Sequence, residues 1–358
     1  MEKIYKNRLG MFDFLKGLAM FLILTMYTVQ HSTVYVESTL LHVLWFGTIF
    51  PGTSALMMAT GYWFKSRSPF ASLKEMGRTG LRIYGITAVG SVLAALLFLG
   101  FDYPVRQQRM SMCAGTALGF LLGTEVDLTL SGIPVPGIGA MWYVLAYVLG
   151  TLLLNLLLAV PYLKEHRKTL QVALILLAML GIVTKTAVPG LVYCIPEALV
   201  SAGVVYVGRQ MKETGFLLRK WKAGEYVLLL LLTVGSGLLY YGFYRIGGTM
   251  LLLKRINMLI CIPGGILMMR WSLWVSRRNS PVARPLKSLG RYSLWLLMLY
   301  TVETHCMSWS ATWDALPGNE AVKVILLLLI RVLLYGLCVL GIIEFLRAWN
   351  HRKAEDIR

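Results

Sequence analysis

Charged residues are scarce in this sequence. Asp, Glu, Lys and Arg make up 15% of its 358 residues, whereas a soluble chain carries about a quarter. Hydrophobic residues supply 57%, a share typical of proteins that bury their surface in lipid. The shortage of charge argues against a soluble globular protein, and we expect lipid to contact most of the surface.

Acidic residues are rarer still. The sequence has 17 Asp and Glu against 35 Lys and Arg, which leaves a formal net charge of +18. Such a basic balance is typical of nucleic-acid-binding proteins when the cations form one face or one tail. Here the cations recur in short segments between apolar runs. This pattern indicates membrane insertion, with membrane lipid as a partner and no nucleic acid.

Cysteine is also infrequent, with five residues, an odd number at uneven spacing. We therefore expect neither a disulfide framework nor a metal site, and interpret these residues as small packing groups. No small-x-small site follows the first apolar run, so we expect no cleavable signal peptide. The cysteines are Cys113, Cys194, Cys261, Cys306 and Cys338.

Apolar runs long enough to cross a bilayer recur along the chain. A hydrocarbon core of roughly 30 Å needs about 20 residues of helix. The sequence predicts an all-α polytopic integral membrane protein with ten transmembrane helices and a single membrane domain over residues 1–358. The predicted spans are 13–30, 42–63, 80–100, 141–161, 170–188, 191–208, 225–246, 255–274, 290–308 and 322–346.

The distribution of basic residues predicts the orientation. Six segments on one side of the ten spans hold 26 of the 35 Lys and Arg. The connections on the other side are poor in cations, since 101–140 has only Arg106 and Arg109 and 309–321 has none. The positive-inside rule then predicts a multi-pass protein of the plasma membrane with both termini in the cytoplasm.

One apolar run does not fit this alternation. Residues 110–124 are apolar but short, and counting them as a span would place the Lys- and Arg-free segment 125–140 in the cytoplasm. Apolar runs of 10–14 residues are often re-entrant or interfacial. We therefore predict a short re-entrant or interfacial element on the outer side.

Ionisable side chains within spans are the first candidates for a functional site. Each costs about 2.5–3.5 kcal/mol on insertion scales, so it normally faces a partner or a polar cavity. Glu197 and Arg331 lie too deep to reach a headgroup easily, which favours burial against a partner or a water-filled cavity. The candidates in or at the ends of spans are Asp13, Lys16, His31, Arg82, Glu197, Glu303, His305 and Arg331.

The first span carries three of the candidate side chains on one face. The helical period places Lys16, Tyr27 and His31 along a broad face that runs from the cytoplasmic to the outer end. A structural interpretation also exists for several candidates. Lys16 and Arg82 can extend to the headgroups, His31 can be solvated at a helix end, and the acid and histidine that close the ninth span can be interfacial.

Four short motifs occur in order along the predicted spans. Residues 13–19 read D-F-L-K-G-L-A, and residues 50–63 run from F-P-G-T to T-G-Y-W. Residues 140–145 read A-M-W-Y-V-L, and residues 289–294 read L-G-R-Y-S-L. Together they resemble the acyltransferase-3 family of membrane acyltransferases, which has D-x-L-[RK]-G-[IL]-A, [ST]-G-[YF], L-W-[FY]-[LV] and L-G-[KR]-x-S at these places. The resemblance covers about residues 13–308 and implies ten helices with both termini inside.

The departures from the family pattern concern its chemistry. Family members place Arg, ten residues and then a His, taken as the catalytic base, on the first helix, where this sequence has Lys16 and Tyr27. The late helix usually carries a second His, where this sequence has Tyr300. The arginines of the first cytoplasmic loop are Arg78 and Arg82, rather than three residues apart. Two His-to-Tyr differences indicate altered or lost chemistry.

The first hypothesis is an enzyme that uses acyl-CoA as donor and no metal. The resemblance implies that an acyl group, with acetyl favoured, passes to a hydroxyl or amine of a cell-envelope carbohydrate or a related small acceptor. His31 or Tyr27 would remove the acceptor's proton, although a tyrosine with a pKa near 10 is a poor base unless a cation lowers it. The candidate substrate-binding residues are Lys16, Arg78, Arg82, Glu197, Tyr300, Glu303, His305 and Arg331.

The second hypothesis is a non-enzymatic module on the same scaffold. It would bind or pass a small polar molecule through a cavity that contains Glu197 and Arg331. The two tyrosines at the histidine positions motivate it, because a scaffold without its usual base can still bind a ligand.

Overall fold

The computed structural model describes residues 10–29, 39–102, 106–187, 192–245, 261–278, 281, 283–307 and 309–355. Within them the fold is almost entirely helical, with one short two-stranded sheet. The predicted all-α fold class is confirmed for this part of the chain.

The helices vary from five to 36 residues. A π-helical turn over Gly77–Leu81 precedes the fourth of them, and a 3₁₀ turn over Val192–Cys194 precedes the ninth. The described helices are α1 Met11–Val29, α2 Thr39–Trp63, α3 Pro69–Met76, α4 Arg82–Asp102, α5 Arg106–Leu122, α6 Met141–Ala159, α7 Pro161–Glu165, α8 Arg167–Ala187, α9 Ile195–Glu213, α10 Ala223–Arg245, α11 Ile262–Arg277, α12 Ala283–Arg291, α13 Ser293–Cys306, α14 Trp309–Ala315 and α15 Glu320–Glu355.

The predicted spans fall on α1, α2, α4, α6, α8, α9, α10, α11, α13 and α15. The first residues of the eighth span, 255–260, lie outside the described residues. Long apolar helices identify the chain as a membrane protein. In the described part, the helices that are both long and apolar enough to cross a bilayer are Met11–Val29, Met141–Ala159, Arg167–Thr184, Val192–Glu213 and Glu320–Gly341.

The longest helix shows how a membrane helix divides its surface. On α15, Leu327, Arg331 and Tyr335 are buried at a spacing of four residues, which places them on one face. Leu333 and Leu337 on other faces are 65% and 68% exposed. A helix that exposes large apolar residues and buries the one charged residue of its apolar run has lipid as its solvent.

The predicted re-entrant or interfacial segment 110–124 is helical. Helix α5 begins earlier, at Arg106, because the polar turn before the apolar run continues the same helix. Two short antiparallel strands follow, β1 Leu128–Leu130 and β2 Ile133–Val135. Gly115 and Gly119 let α5 pack directly against the backbone of this hairpin.

Helices α1 and α12 approach each other through a pair of glycines. A Cβ atom at Gly17 would collide with the carbonyl group of Leu286, and one at Gly290 would collide with the carbonyl group of Asp13. Because lipid tails are as apolar as the side chains, close van der Waals packing of small residues holds such helices together. The contact joins two motif segments, 13–19 and 289–294.

A second close crossing joins α2 to α9. Gly61 faces the backbone of Val205, and Gly208 faces the backbone of Met58. Helix α9 also packs against α6 and α8, so it lies in the centre of this part of the bundle. The buried face of α9 is accordingly rich in small and β-branched residues, among them Ala198, Val200, Ser201, Ala202 and Val204.

The α1–α12 contact leads to a stability prediction. Gly17→Ala should lower the free energy of unfolding by about 1–3 kcal/mol, because the added methyl group has no room against a backbone carbonyl. Thermal unfolding of the purified protein in detergent measures the effect. Gly235→Ala in α10 is the matched control, since a Cβ there meets no atom within 4 Å. Equal melting temperatures for both variants would contradict the close contact.

Candidate functional site

Arg331 is the largest fully buried side chain among the described residues. Its Nε lies 2.8 Å from Oε1 of Glu303, and the two side chains are 2% and 4% exposed. Arg331 lies in the apolar run of α15, and Glu303 lies in the last turn of α13. The two helices therefore meet through an ion pair that neither water nor a headgroup surrounds.

Several neutral side chains complete the coordination of this ion pair. Arg331 Nη1 donates a hydrogen bond to Oγ1 of Thr28 over 2.9 Å. The hydroxyl of Tyr335 donates to Oε2 of Glu303. The guanidinium carbon lies 5.6 Å from the centre of the Trp309 ring. Helices α1, α13, α14 and α15 thus converge on one polar cluster.

Arg331 needs several partners, because the free-energy cost of placing its charge in the membrane exceeds the stabilisation from one hydrogen bond. Inserting an Arg at the centre of a membrane helix costs about 2.5–3.5 kcal/mol. One interhelical hydrogen bond contributes about 0.6 kcal/mol, with a maximum near 1.7. A single bond cannot offset the insertion cost, whereas an ion pair with its added hydrogen bonds can. We name this set of Thr28, Glu303, Trp309, Arg331 and Tyr335 the arginine cluster.

Tyr27 and Tyr300 meet beside the arginine cluster. Their ring centroids are 5.2 Å apart at an interplanar angle of 52°, and their phenol groups are joined by a hydrogen bond. Tyr300 is 4% exposed and Tyr27 is 38% exposed. Glu125, in the connection after α5, interacts electrostatically with Tyr27. The pair therefore extends the arginine cluster toward an accessible surface.

Sequence neighbours place the tyrosine pair and the arginine cluster together. Tyr27 precedes Thr28 on α1, and Tyr300 lies three residues before Glu303 on α13. Residues three or four apart share a helix face. The resemblance marked positions 27 and 300 independently, on helices far apart in sequence, and the fold brings these two positions into contact.

His305 follows this cluster on α13 but contacts different groups. Its Nδ1 lies 2.7 Å from the carbonyl oxygen of Thr301, and its Nε2 lies 2.8 Å from the carbonyl oxygen of Gly137. Its ring also lies 5.4 Å from that of Phe120. With carbonyl acceptors at both ring nitrogens, His305 joins α13 to the connection before α6.

The remaining candidates lie elsewhere or outside the described residues. Glu197 is buried in the first turn of α9, where the helix dipole favours an anion. Helix α9, which carries Glu197, packs against α2, α6 and α8. The partners described for Arg331 are Glu303 and Thr28. The cavity expected to contain both Glu197 and Arg331 stays a prediction. His31 lies outside the described residues.

Three exposed cations were expected on the cytoplasmic side. Lys16 is exposed on α1, about 16 Å along the helix axis from Tyr27. Arg78 is exposed in the π-helical turn, and Arg82 is exposed at the first residue of α4. Exposed guanidinium and ammonium groups are available to an anionic ligand such as a phosphate.

Sequence reasoning missed the neutral members of the arginine cluster. Tyr335 and Thr28 are unremarkable in an apolar helix, because a hydroxyl can bond to its own backbone, as Thr28 does to Leu24. A signal for Tyr335 was present, since it lies four residues after Arg331 on the same face. Thr28 carried no comparable signal beyond its place next to Tyr27.

Comparisons with known proteins found no match for the chain among protein-family models, curated proteins or solved structures.

The arginine cluster predicts strong coupling between its two charges. Arg331→Met or Glu303→Met alone should lower the free energy of unfolding by about 3–5 kcal/mol, because each leaves an uncompensated buried charge. The double variant should lose much less than the sum of the two. Unfolding of the four proteins in mixed micelles gives the coupling energy. Purely additive losses would show that the two side chains do not interact.

Proposed function

We propose that the chain is a ten-span protein of the plasma membrane with both termini in the cytoplasm. Ten helices coincide with the predicted spans, although some of them are short or only partly apolar within the described residues. The basic segments support this orientation, because 26 of the 35 Lys and Arg lie on one side of such a topology.

We further propose that it is a membrane acyltransferase. In this proposal an acyl group, acetyl as the favoured case, moves from cytoplasmic acyl-CoA to a hydroxyl or amine of a cell-envelope carbohydrate or a related small acceptor. The observation that supports it most is the contact between Tyr27 and Tyr300. These are the two positions at which the resemblance expects histidines, and groups that act on one substrate must lie close together.

The proposed chemistry needs a base on the acceptor side. Either neutral His31 or the Tyr27 phenolate takes the acceptor's proton, and the acceptor oxygen or nitrogen attacks the thioester carbonyl. The carbon–sulfur bond then breaks, and the CoA thiolate leaves and takes up the proton. Tyr27 is the accessible member of the tyrosine pair, so it is the one that an acceptor can reach. Lys16, Arg78 and Arg82 bind the donor's phosphates as charge-assisted partners.

A second function is favoured by a different observation. In the arginine cluster Arg331 and Glu303 already neutralise each other, and the tyrosine pair has no imidazole within it. A cluster of this kind suits a module that binds a small polar molecule through hydroxyl groups without transforming it. In this second proposal the protein keeps the fold of the acyltransferases but does not catalyse acyl transfer.

Turnover of acyl-CoA separates the two functions. The full-length protein in nanodiscs is supplied with a panel of acyl-CoA donors, and release of free CoA is measured. For an enzyme, Tyr27→Phe or His31→Ala lowers kcat by about a hundredfold or more. Tyr27→His should raise kcat, since it installs a group with a pKa near neutrality. Tyr162→Phe, at an exposed tyrosine of α7, is the control.

Binding of the donor is tested separately. Arg78→Gln and Arg82→Gln should each raise KM for acyl-CoA by about tenfold, because each removes a charge-assisted hydrogen bond to a phosphate. Their kcat values should change little. If the wild-type protein neither binds nor hydrolyses any acyl-CoA, the acyltransferase proposal fails and the binding module is preferred.

A further inference from the structure

A cavity of about 420 Å³ lies at the end of the bundle where α9 terminates, apart from the tyrosine pair. Phe64 and Ser66, which directly follow α2, form one wall. Arg209, Lys212 and Glu213 in the last turns of α9 form the other. The cavity therefore combines two cations, one carboxylate, one hydroxyl and one aromatic ring.

The two cations lie against aromatic rings. The guanidinium carbon of Arg209 is 5.6 Å from the centre of the Phe64 ring, and Nζ of Lys212 is 5.6 Å from the centre of the Trp63 ring. Trp63 is 38% exposed at the last residue of α2. An exposed tryptophan at a helix end beside cations is typical of the level of lipid headgroups.

The carboxylate of Glu213 does not neutralise this end of the cavity. Its Oε1 accepts from Nε of Arg209 over 2.6 Å, and its Oε2 accepts from Arg167 over 2.6 Å and from Gln210 over 3.3 Å. Glu213 thus orients two guanidinium groups while cancelling one positive charge. With Lys212 included, the group retains a net positive charge of about two, which favours an anion.

Arg209 has a donor that the protein does not satisfy. Its Nη1 is buried and has no hydrogen-bond partner among the described residues. The Arg209 side chain as a whole is 25% exposed and lines the cavity, so a ligand there can reach its exposed part. The tetrahedral oxygens of a phosphate suit a guanidinium, an ammonium and the Ser66 hydroxyl at once.

We infer that this cavity binds the phosphate of an anionic phospholipid headgroup. Helix α8, whose first residue Arg167 contacts Glu213, presents an exposed apolar face directly beneath, with Val172, Ile175 and Leu176. A lipid can therefore place its acyl chains along the helices while its phosphate enters the cavity. A soluble phosphate compound would use the same charges without needing the exposed tryptophan at the rim.

The test measures lipid retained by the full-length protein. Protein is equilibrated with vesicles of phosphatidylglycerol and phosphatidylcholine, extracted in mild detergent, and examined by native mass spectrometry. The wild type should retain phosphatidylglycerol in preference to phosphatidylcholine. The variant Arg209→Gln/Lys212→Gln should retain about 25-fold less, since each basic group near an anionic surface contributes a factor of roughly five.

The control removes equal charge from the same side of the chain. Lys220→Gln/Lys222→Gln lies in the connection before α10 and outside the cavity wall. It should retain phosphatidylglycerol as the wild type does. Lys212→Gln alone, which breaks no ion pair described for α9, should show an intermediate loss, so that a folding defect caused by freeing Glu213 does not decide the result.

Two outcomes would overturn the inference. One is that the charge at the cavity has no specific effect: the Arg209→Gln/Lys212→Gln variant retains as much phosphatidylglycerol as the wild type, or the lysine control loses as much as that variant. The other is complete displacement of phosphatidylglycerol by millimolar inorganic phosphate, which would assign the cavity to a soluble phosphate compound. The retention of lipid does not depend on acyl transfer, so this test stands or fails independently of the proposed enzymatic activity.

Discussion

The buried ion pair between Arg331 and Glu303 is the interaction on which the packing of α1, α13 and α15 depends. A guanidinium in an apolar helix is tolerated only when its donors have partners, and the partners here come from α1, α13 and α15. The need to place these partners around Arg331 therefore sets the relative axial positions of α1, α13 and α15, which are distant in sequence. The Tyr27–Tyr300 contact follows from this register, because each tyrosine adjoins a member of the arginine cluster.

Close packing of backbone supplies the second constraint. Gly17 and Gly290 let α1 and α12 touch, and Gly61 and Gly208 do the same for α2 and α9. In lipid there is little hydrophobic gain from helix association, so short separations and the polar contacts they permit provide most of the stabilisation. Packing thus explains part of the motif residues in segments 13–19 and 289–294. A resemblance based on these residues therefore supports a shared fold more directly than a shared reaction.

The sequence predicted helices better than it predicted partners. Run length and hydropathy placed ten helical segments, and the cost of charge in lipid correctly singled out Arg331 and Glu197 as buried. Glu303, for which an interfacial position was also considered, is buried as the partner of Arg331. Their pairing was beyond sequence reasoning, because it depends on how α13 and α15 rotate against each other. Hydropathy also placed the start of the segment 110–124 late, since it detects the apolar part of α5 and not the polar turn that precedes it. His305 was expected near the reacting groups, but its two nitrogens lie against the carbonyl oxygens of Thr301 in its own helix and of Gly137 in the connection before α6.

The two attachments of α1 have a mechanical consequence. Near its start the helix is held by Gly17 against α12, and near its end by Thr28 against Arg331 of α15. Since α12 leads directly into α13, which carries Glu303, these four helices form a closed ring of contacts. Sliding α1 along its own axis would therefore break the glycine contact and the Thr28 hydrogen bond together.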